Sequence, residues 1–212
     1  MNYLFPFDYI QYVTVPNTYK LLTETDFQPV TVEAIKEYLI IPENDHSRDL
    51  MLKRMANAVV QDFDDYTRKT FRVSTFRTYR NNFPWTYFYE LRRSPLISVQ
   101  SIKYYDTLNV LQTVDPIWYY LTTEEYYSKI IFRSDYVFPE TFVRPQAVII
   151  EFTAGMFSTT EQVEPEIQEG ILAYIAFLYE NRGDLILPNN MRDRWYPMET
   201  QNVWSCHKIW EF

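Results

Sequence analysis

The sequence predicts an α+β protein: a small helical bundle packed against an antiparallel β module, with extended arms at both ends. Apolar residues recur at helical spacing over 31–69 and again over 165–182. Between these stretches, from 71 to 154, the period drops to two. At both ends aromatic residues crowd together with prolines that break any helical run.

Residues 1–30 read as an arm. Tyr3, Phe5, Phe7, Tyr9, Tyr12, Tyr19 and Phe27 are interrupted by Pro6, Pro16 and Pro29. Such an arm is not expected to sit free in water; it folds back on its own domain or lies on a neighbour. Tyr3, Phe5, Phe7 and Tyr9 are its candidate contacts. Thr31 is placed to cap a short helix over 31–41, in which Val32, Ile35 and Leu39 share a face before Pro42 stops it. Asn44 or Asp45 is expected to cap a longer helix over 45–69. There Leu52, Met55, Val59 and Tyr66 recur at helical spacing with Phe63 beside them, and Arg54, Asn57, Gln61 and Asp64 take the polar face. Arg54, Gln61 and Asp64 are candidates for subunit contact or for lining a channel.

The β module is expected to hold five to seven short strands. Asp106-Thr107-Leu108-Asn109 reads as a hairpin turn, and Val148, Ile150 and Phe152 share one strand face. Asn81 to Arg93, aromatic and turn-rich, reads as a long hairpin loop. Helix returns at Pro165, a favoured first helical residue, and runs to 182. Gly170 inside it costs about 1 kcal/mol relative to alanine, which suggests close approach of another backbone. After Gly183 comes a tail, 184–212, with Pro188 and Pro197. Trp195, Tyr196, Trp204, Trp210 and Phe212 are spaced too irregularly for a helix or strand, so they are read as anchors of an extended docking arm. The alternative is that the tail folds back on its own β module.

Composition narrows the chemistry. The formal net charge of −8 argues against a general phosphate-binding surface, though not against DNA passing without being gripped. One cysteine, Cys206, excludes an internal disulfide and a cysteine-based zinc cluster. No run of residues has the length and apolarity to span a bilayer, and Met1 to Ile10 does not look like a secretory signal, so synthesis in the cytoplasm and no membrane partner are expected. The 3 glycines, Gly155, Gly170 and Gly183, are isolated, so no phosphate-cradling loop is expected. His46, His207, Cys206 and the adjacent pairs Asp64-Asp65 and Glu124-Glu125 make no nucleophile–base or metal-ligand set. No cofactor, metal or enzymatic activity is expected. The 19 Tyr and 15 Phe exceed what one surface needs and favour protein–protein contact. Trp85, Tyr87, Phe88 and Tyr89 also suit stacking on sugars, so a carbohydrate- or receptor-binding tail module is the alternative.

The order of motifs resembles the head–tail connector family of tailed bacteriophages, also called adaptor or head-completion proteins. Pro95-Leu96-Ile97-Ser98-Val99 leads through Ser101-Ile102 to Tyr104-Tyr105-Asp106, as members enter their β module. Phe152-Thr153-Ala154-Gly155 stands where they carry Tyr-Thr-Ala-Gly. Val163-Glu164-Pro165 precedes Ile167, with Gly170 where alanine is usual, and Leu178-Tyr179-Glu180-Asn181-Arg182 closes the match. The likeness covers about 31–183 and leaves both arms outside. It implies a ring of about a dozen copies, docked on the portal protein, meeting a tail or neck protein, and extending the DNA channel in the neck of the virion.

Overall fold

The computed structural model describes residues 19–122, 128–181 and 197–209. Among them are four α-helices and eight β-strands in two antiparallel sheets. The arm contacts Tyr3, Phe5, Phe7 and Tyr9, and the tail residues Trp195, Tyr196, Trp210 and Phe212, lie outside the described residues.

Helix α1 spans Val32–Tyr38. Thr31 caps it: its Oγ1 accepts from the Ala34 N–H at 3.1 Å. Ile40, in the left-handed region at φ 56°, turns the chain before Pro42. Helix α2 spans Asp49–Thr67 and starts later than its apolar period suggests. Asp45 caps a turn ahead of the helix, where its carboxylate accepts from the Ser47 N–H at 3.0 Å. Helix α3 spans Pro165–Glu180. Ile35 of α1, Leu52, Val59 and Phe63 of α2, and Ile167, Ile171 and Ile175 of α3 form one buried core.

The tail departs from the irregular chain expected of it. Met198–His207 forms helix α4, which returns to the helical core rather than to the β module. The signal lies in the residues spaced around Trp204. Thr200, Val203, Trp204 and His207 follow the i, i+3, i+4, i+7 stripe of an amphipathic helix. Thr200 and Trp204 are buried, and Thr200 Oγ1 donates to the Gly170 carbonyl at 3.0 Å. Gly170 therefore lies under α4, and the expectation of a close backbone is corrected. What comes close is a set of α4 side chains, not a backbone: a Cβ at Gly170 would stand 3.5 Å from Val203 Cβ, an ordinary contact.

The larger sheet has the order β1-β2-β8-β4-β5, with β1 Tyr19–Glu24, β2 Ser74–Arg80, β4 Leu96–Tyr105, β5 Leu111–Thr113 and β8 Val148–Ala154. Two departures from the sequence reading matter. Residues 19–24 of the supposed first arm are a strand of this sheet, and Asn81 to Arg93 is not all loop, since it contains β3 (Phe88–Leu91). Strand β3 joins β7 (Ser128–Phe132) and β6 (Tyr119–Thr122) in a three-stranded sheet of order β3-β7-β6. Val148, Ile150 and Phe152 do share a buried face, packed with Phe76 and Ile102 against Leu91, Ile130 and Phe132 of the smaller sheet. The hairpin turn also forms: Asp106 Oδ1 accepts from the N–H groups of Leu108 and Val110, and Asn109 takes φ 60°. Phe71 and Phe157, whose rings stand 5.0 Å apart, both belong to the helical core, just beyond the ends of α2 and β8.

Candidate functional site

No group of three His, Cys, Asp or Glu side chains among the described residues could hold a metal ion. His46 Nδ1 lies 2.9 Å from Asp49 and 3.4 Å from Lys36 Nζ, an arrangement at the start of α2 that links it to α1. Lys36, itself buried, pairs with Asp49 at 2.7 Å and donates to the Glu43 carbonyl at 3.1 Å. Cys206 and His207 are successive residues of α4, and the Cys206 thiol donates to the Asn202 carbonyl one turn back. Glu124-Glu125 lies outside the described residues. No helix among the described residues is long and apolar enough to cross a membrane.

The aromatic patch considered for sugar stacking does not form one platform. Trp85 and Tyr87 are exposed, but Tyr89 points into the β core and its hydroxyl donates to the Asn82 carbonyl at 2.7 Å. Tyr87 leans on Phe138 with ring centroids 5.5 Å apart.

The three polar candidates on α2 separate. Arg54 and Gln61 are exposed on its outer face. Asp64 is turned inward at the helix end, where Oδ1 accepts from the Phe71 N–H at 2.8 Å and fastens the chain between α2 and β2. It is therefore a positioning group of the fold at this corner. Burial pushes its carboxyl up to about 7, against the lowering effects of the Phe71 N–H and of Arg93. Between pH 4 and 7 the folded chain thus keeps a proton that the unfolded chain has lost. The sign follows: this group's contribution to stability falls as pH rises from about 4 to about 7. Asp64→Asn, whose amide oxygen still accepts from Phe71, is expected to flatten that part of a melting-temperature profile and to raise stability at pH 8. An unchanged slope would refute the assignment.

Trp204 is the one tail anchor that falls on described chain, and it is 0% exposed. Its ring packs edge-on against Phe63 at 5.5 Å and Tyr174 at 5.7 Å, and tilted against Tyr66 at 6.0 Å. In the monomer it is a core residue, not an accessible docking anchor.

What the sequence reading missed is an exposed sheet edge. The residues of β5 are all exposed, and Leu108 and Val110 stand open beside it. The signal was present as a three-residue strand with no charge, but nothing local marks a strand as the last one in a sheet.

No family model matches the sequence, and no curated protein sequence matches it either. Solved structures do. A chain from the neck of an empty gene transfer agent particle, computed with C6 symmetry, superposes with a TM-score of 0.72 at 15% identity, covering 92% of this chain and 97% of that one. A chain from the virion of a native gene transfer agent particle gives 0.71 at 16% identity with the same coverage. A chain from the neck of the native particle, computed with C12 symmetry, gives 0.67 at 16%, again over 92% and 97%. The fold is therefore shared with chains of the gene transfer agent neck, in agreement with the resemblance carried by the motifs.

Proposed function

We propose that the chain is a structural head–tail connector, which assembles into a ring of about a dozen copies in the neck of a phage-like particle. The supporting observation is the extent of the likeness, which takes in the helical bundle and the β module together over 92% of the chain. The ring docks on a portal protein, meets a tail or neck protein on its other side, and extends the channel through which DNA passes. Its role is non-enzymatic and needs no cofactor. Arg54 and Gln61 are candidate lumen or subunit contacts. The lumen is weakly acidic or mixed, since a continuous basic lining would hold DNA through released counterions. Negative-stain microscopy and mass photometry of the purified chain test this reading. Rings with a central hole are expected; a chain that stays monomeric at every concentration, alone and with portal, overturns it.

Tyr3, Phe5, Phe7 and Tyr9 in the N-terminal arm, and Trp195, Tyr196, Trp210 and Phe212 in the tail, serve as contacts to neighbours or portal. Because Trp204 belongs to the core, a useful tail variant must spare α4. Trp195→Ala with Tyr196→Ala, in a chain stopped after Ile209, is expected to melt within a few degrees of the wild type yet lose portal binding in a pull-down. Retained binding removes the tail from the interface.

A further inference from the structure

We propose that the outer edge of β5, with the apolar residues around the β4–β5 hairpin, receives the N-terminal segment of a second copy of this chain as an added β-strand. The inference deepens the connector reading and rests on its claim that copies stand side by side in a ring.

The five-stranded sheet has two unequal edges. β1 carries protections against edge pairing: the charged residues Lys20 and Glu24, and a register break between Leu21 and Thr23. β5, Leu111-Gln112-Thr113, has no charge, no proline and no bulge. The Asp106 N–H donates to the Val110 carbonyl and the Val114 N–H to the Ile102 carbonyl. In the alternation of an antiparallel ladder, Leu111 and Thr113 therefore turn their N–H and C=O groups outward. Among the described residues no strand lies beyond β5. Leu108, Val110 and Leu111 are 81%, 51% and 45% exposed there. On the other side of β4, the Phe142 N–H donates to the Tyr105 carbonyl, and Arg144 Nη1 from that segment braces the hairpin tip by donating to Asn109 Oδ1 at 3.1 Å.

The occupant follows from the chain that precedes β1. Residues 1–18 contain Tyr3, Phe5, Phe7 and Tyr9 at period two, and Asp8 is their one charged side chain. In a strand those four rings share a face, and their N–H groups point the same way within the sheet. Pro6 sits at the opposite parity. A proline fits a sheet where its missing N–H faces solvent, which means an edge. A strand laid outside β5 becomes such an edge: it pairs on one side only, and its aromatic face meets the exposed apolar residues of the hairpin.

Register selects a second copy. Tyr19 pairs with Thr78, Thr78 with Ile150, and Ile150 with Ile102. Tyr105 pairs with Leu111, three residues nearer the hairpin. Because β1 runs antiparallel to β2, the chain before Tyr19 leads toward the same end of the sheet as the hairpin, but from the opposite edge. Heterologous contacts close a ring by joining two different patches of each copy, and the two sheet edges supply them. From the β1 edge of one copy the arm meets the β5 edge of the next without crossing its own sheet.

The test mixes two full-length variants, Phe7→Cys in one and Leu108→Cys in the other, both carrying Cys206→Ser to remove the exposed native thiol. After oxidation with diamide, a dimer joined between positions 7 and 108 is expected, identified by the mass of the linked peptide. Adding Leu108→Asp and Val110→Asp to otherwise wild-type chain is expected to abolish rings while leaving the melting temperature in place, because both residues are exposed. No mixed dimer, or a double-cysteine chain that links only within itself, overturns the inference. Rings that survive the two aspartates also overturn it and leave the connector reading standing. Mixed dimers from a chain that never forms rings leave the strand contact standing and remove the connector reading.

Discussion

Gly155→Ala is expected to destabilise the chain by on the order of 3 kcal/mol, through strain at a backbone position that side chains do not reach. Gly155 ends the strand motif that runs through Thr153 and Ala154, and it takes φ +146°. A Cβ there would stand 2.5 Å from the Arg72 carbonyl oxygen, 2.5 Å from Val73 Cα and 2.6 Å from Val73 N. All three are backbone atoms, so no rotamer change relieves the clash. The crossing they belong to is tightly bonded: Gly155 N–H donates to the Pro95 carbonyl at 3.0 Å and Val73 N–H to the Phe157 carbonyl at 2.9 Å. Beside it Phe71 and Phe157 are buried in the helical core. In a domain of this size such a loss lowers the melting temperature by roughly 10 °C, which thermal unfolding followed by circular dichroism reads directly. Gly170→Ala is the control, because its Cβ enters ordinary contact distance and a helix interior favours alanine. Equal melting temperatures for the two variants would show that the crossing gives way, and would refute the strain.

The contrast between these glycines shows what the chain makes legible. Helix and turn ends written in local chemistry can be read without a fold: the Thr31 cap, the Asp106 turn and the Val148, Ile150 and Phe152 face depend on neighbours within a few residues. The isolated Gly155 looks like any other glycine until the Arg72–Val73 backbone is laid across it. Asp64 follows the polar stripe of α2, yet the Phe71 N–H recruits it inward because the chain turns sharply after Arg68, which takes φ 61°. β1 and β3 escaped notice because each is defined by a partner far along the chain, β2 for one and β7 for the other. The candidate interface was legible only as composition. The aromatic excess is real, but much of it fills the β core, where Phe83, Phe132, Tyr136 and Phe138 pack ring against ring. Counting aromatics does not separate rings that hold a monomer together from rings that bind a neighbour; only burial does.

Trp204 is where that distinction has its largest consequence. Trp204→Ala is expected to cost about 3–5 kcal/mol, the range for emptying a large aromatic from a packed core. Every side of its ring is taken: Phe63 and Tyr66 of α2, Tyr174 of α3, and the Gly170 turn, where its Nε1 would lie 3.7 Å from an added Cβ. α4 holds few other buried residues, Thr200 being the main one, so the indole is what fixes this short helix to the bundle. Without it α4 is expected to detach, exposing Phe63 and the α3 face around Ile171 and Tyr174. Trp204→Phe should lose less than half as much, since a smaller ring still meets Phe63 and Tyr174. The measurement is a denaturant melt of each variant, read alongside ring formation. An accessible docking anchor would behave in the opposite way: Trp204→Ala would leave the melt unchanged and lose only assembly. That outcome would detach α4 from the core and return residue 204 to the interface; a large shift in the melt, with assembly lost only as folding is lost, keeps it inside.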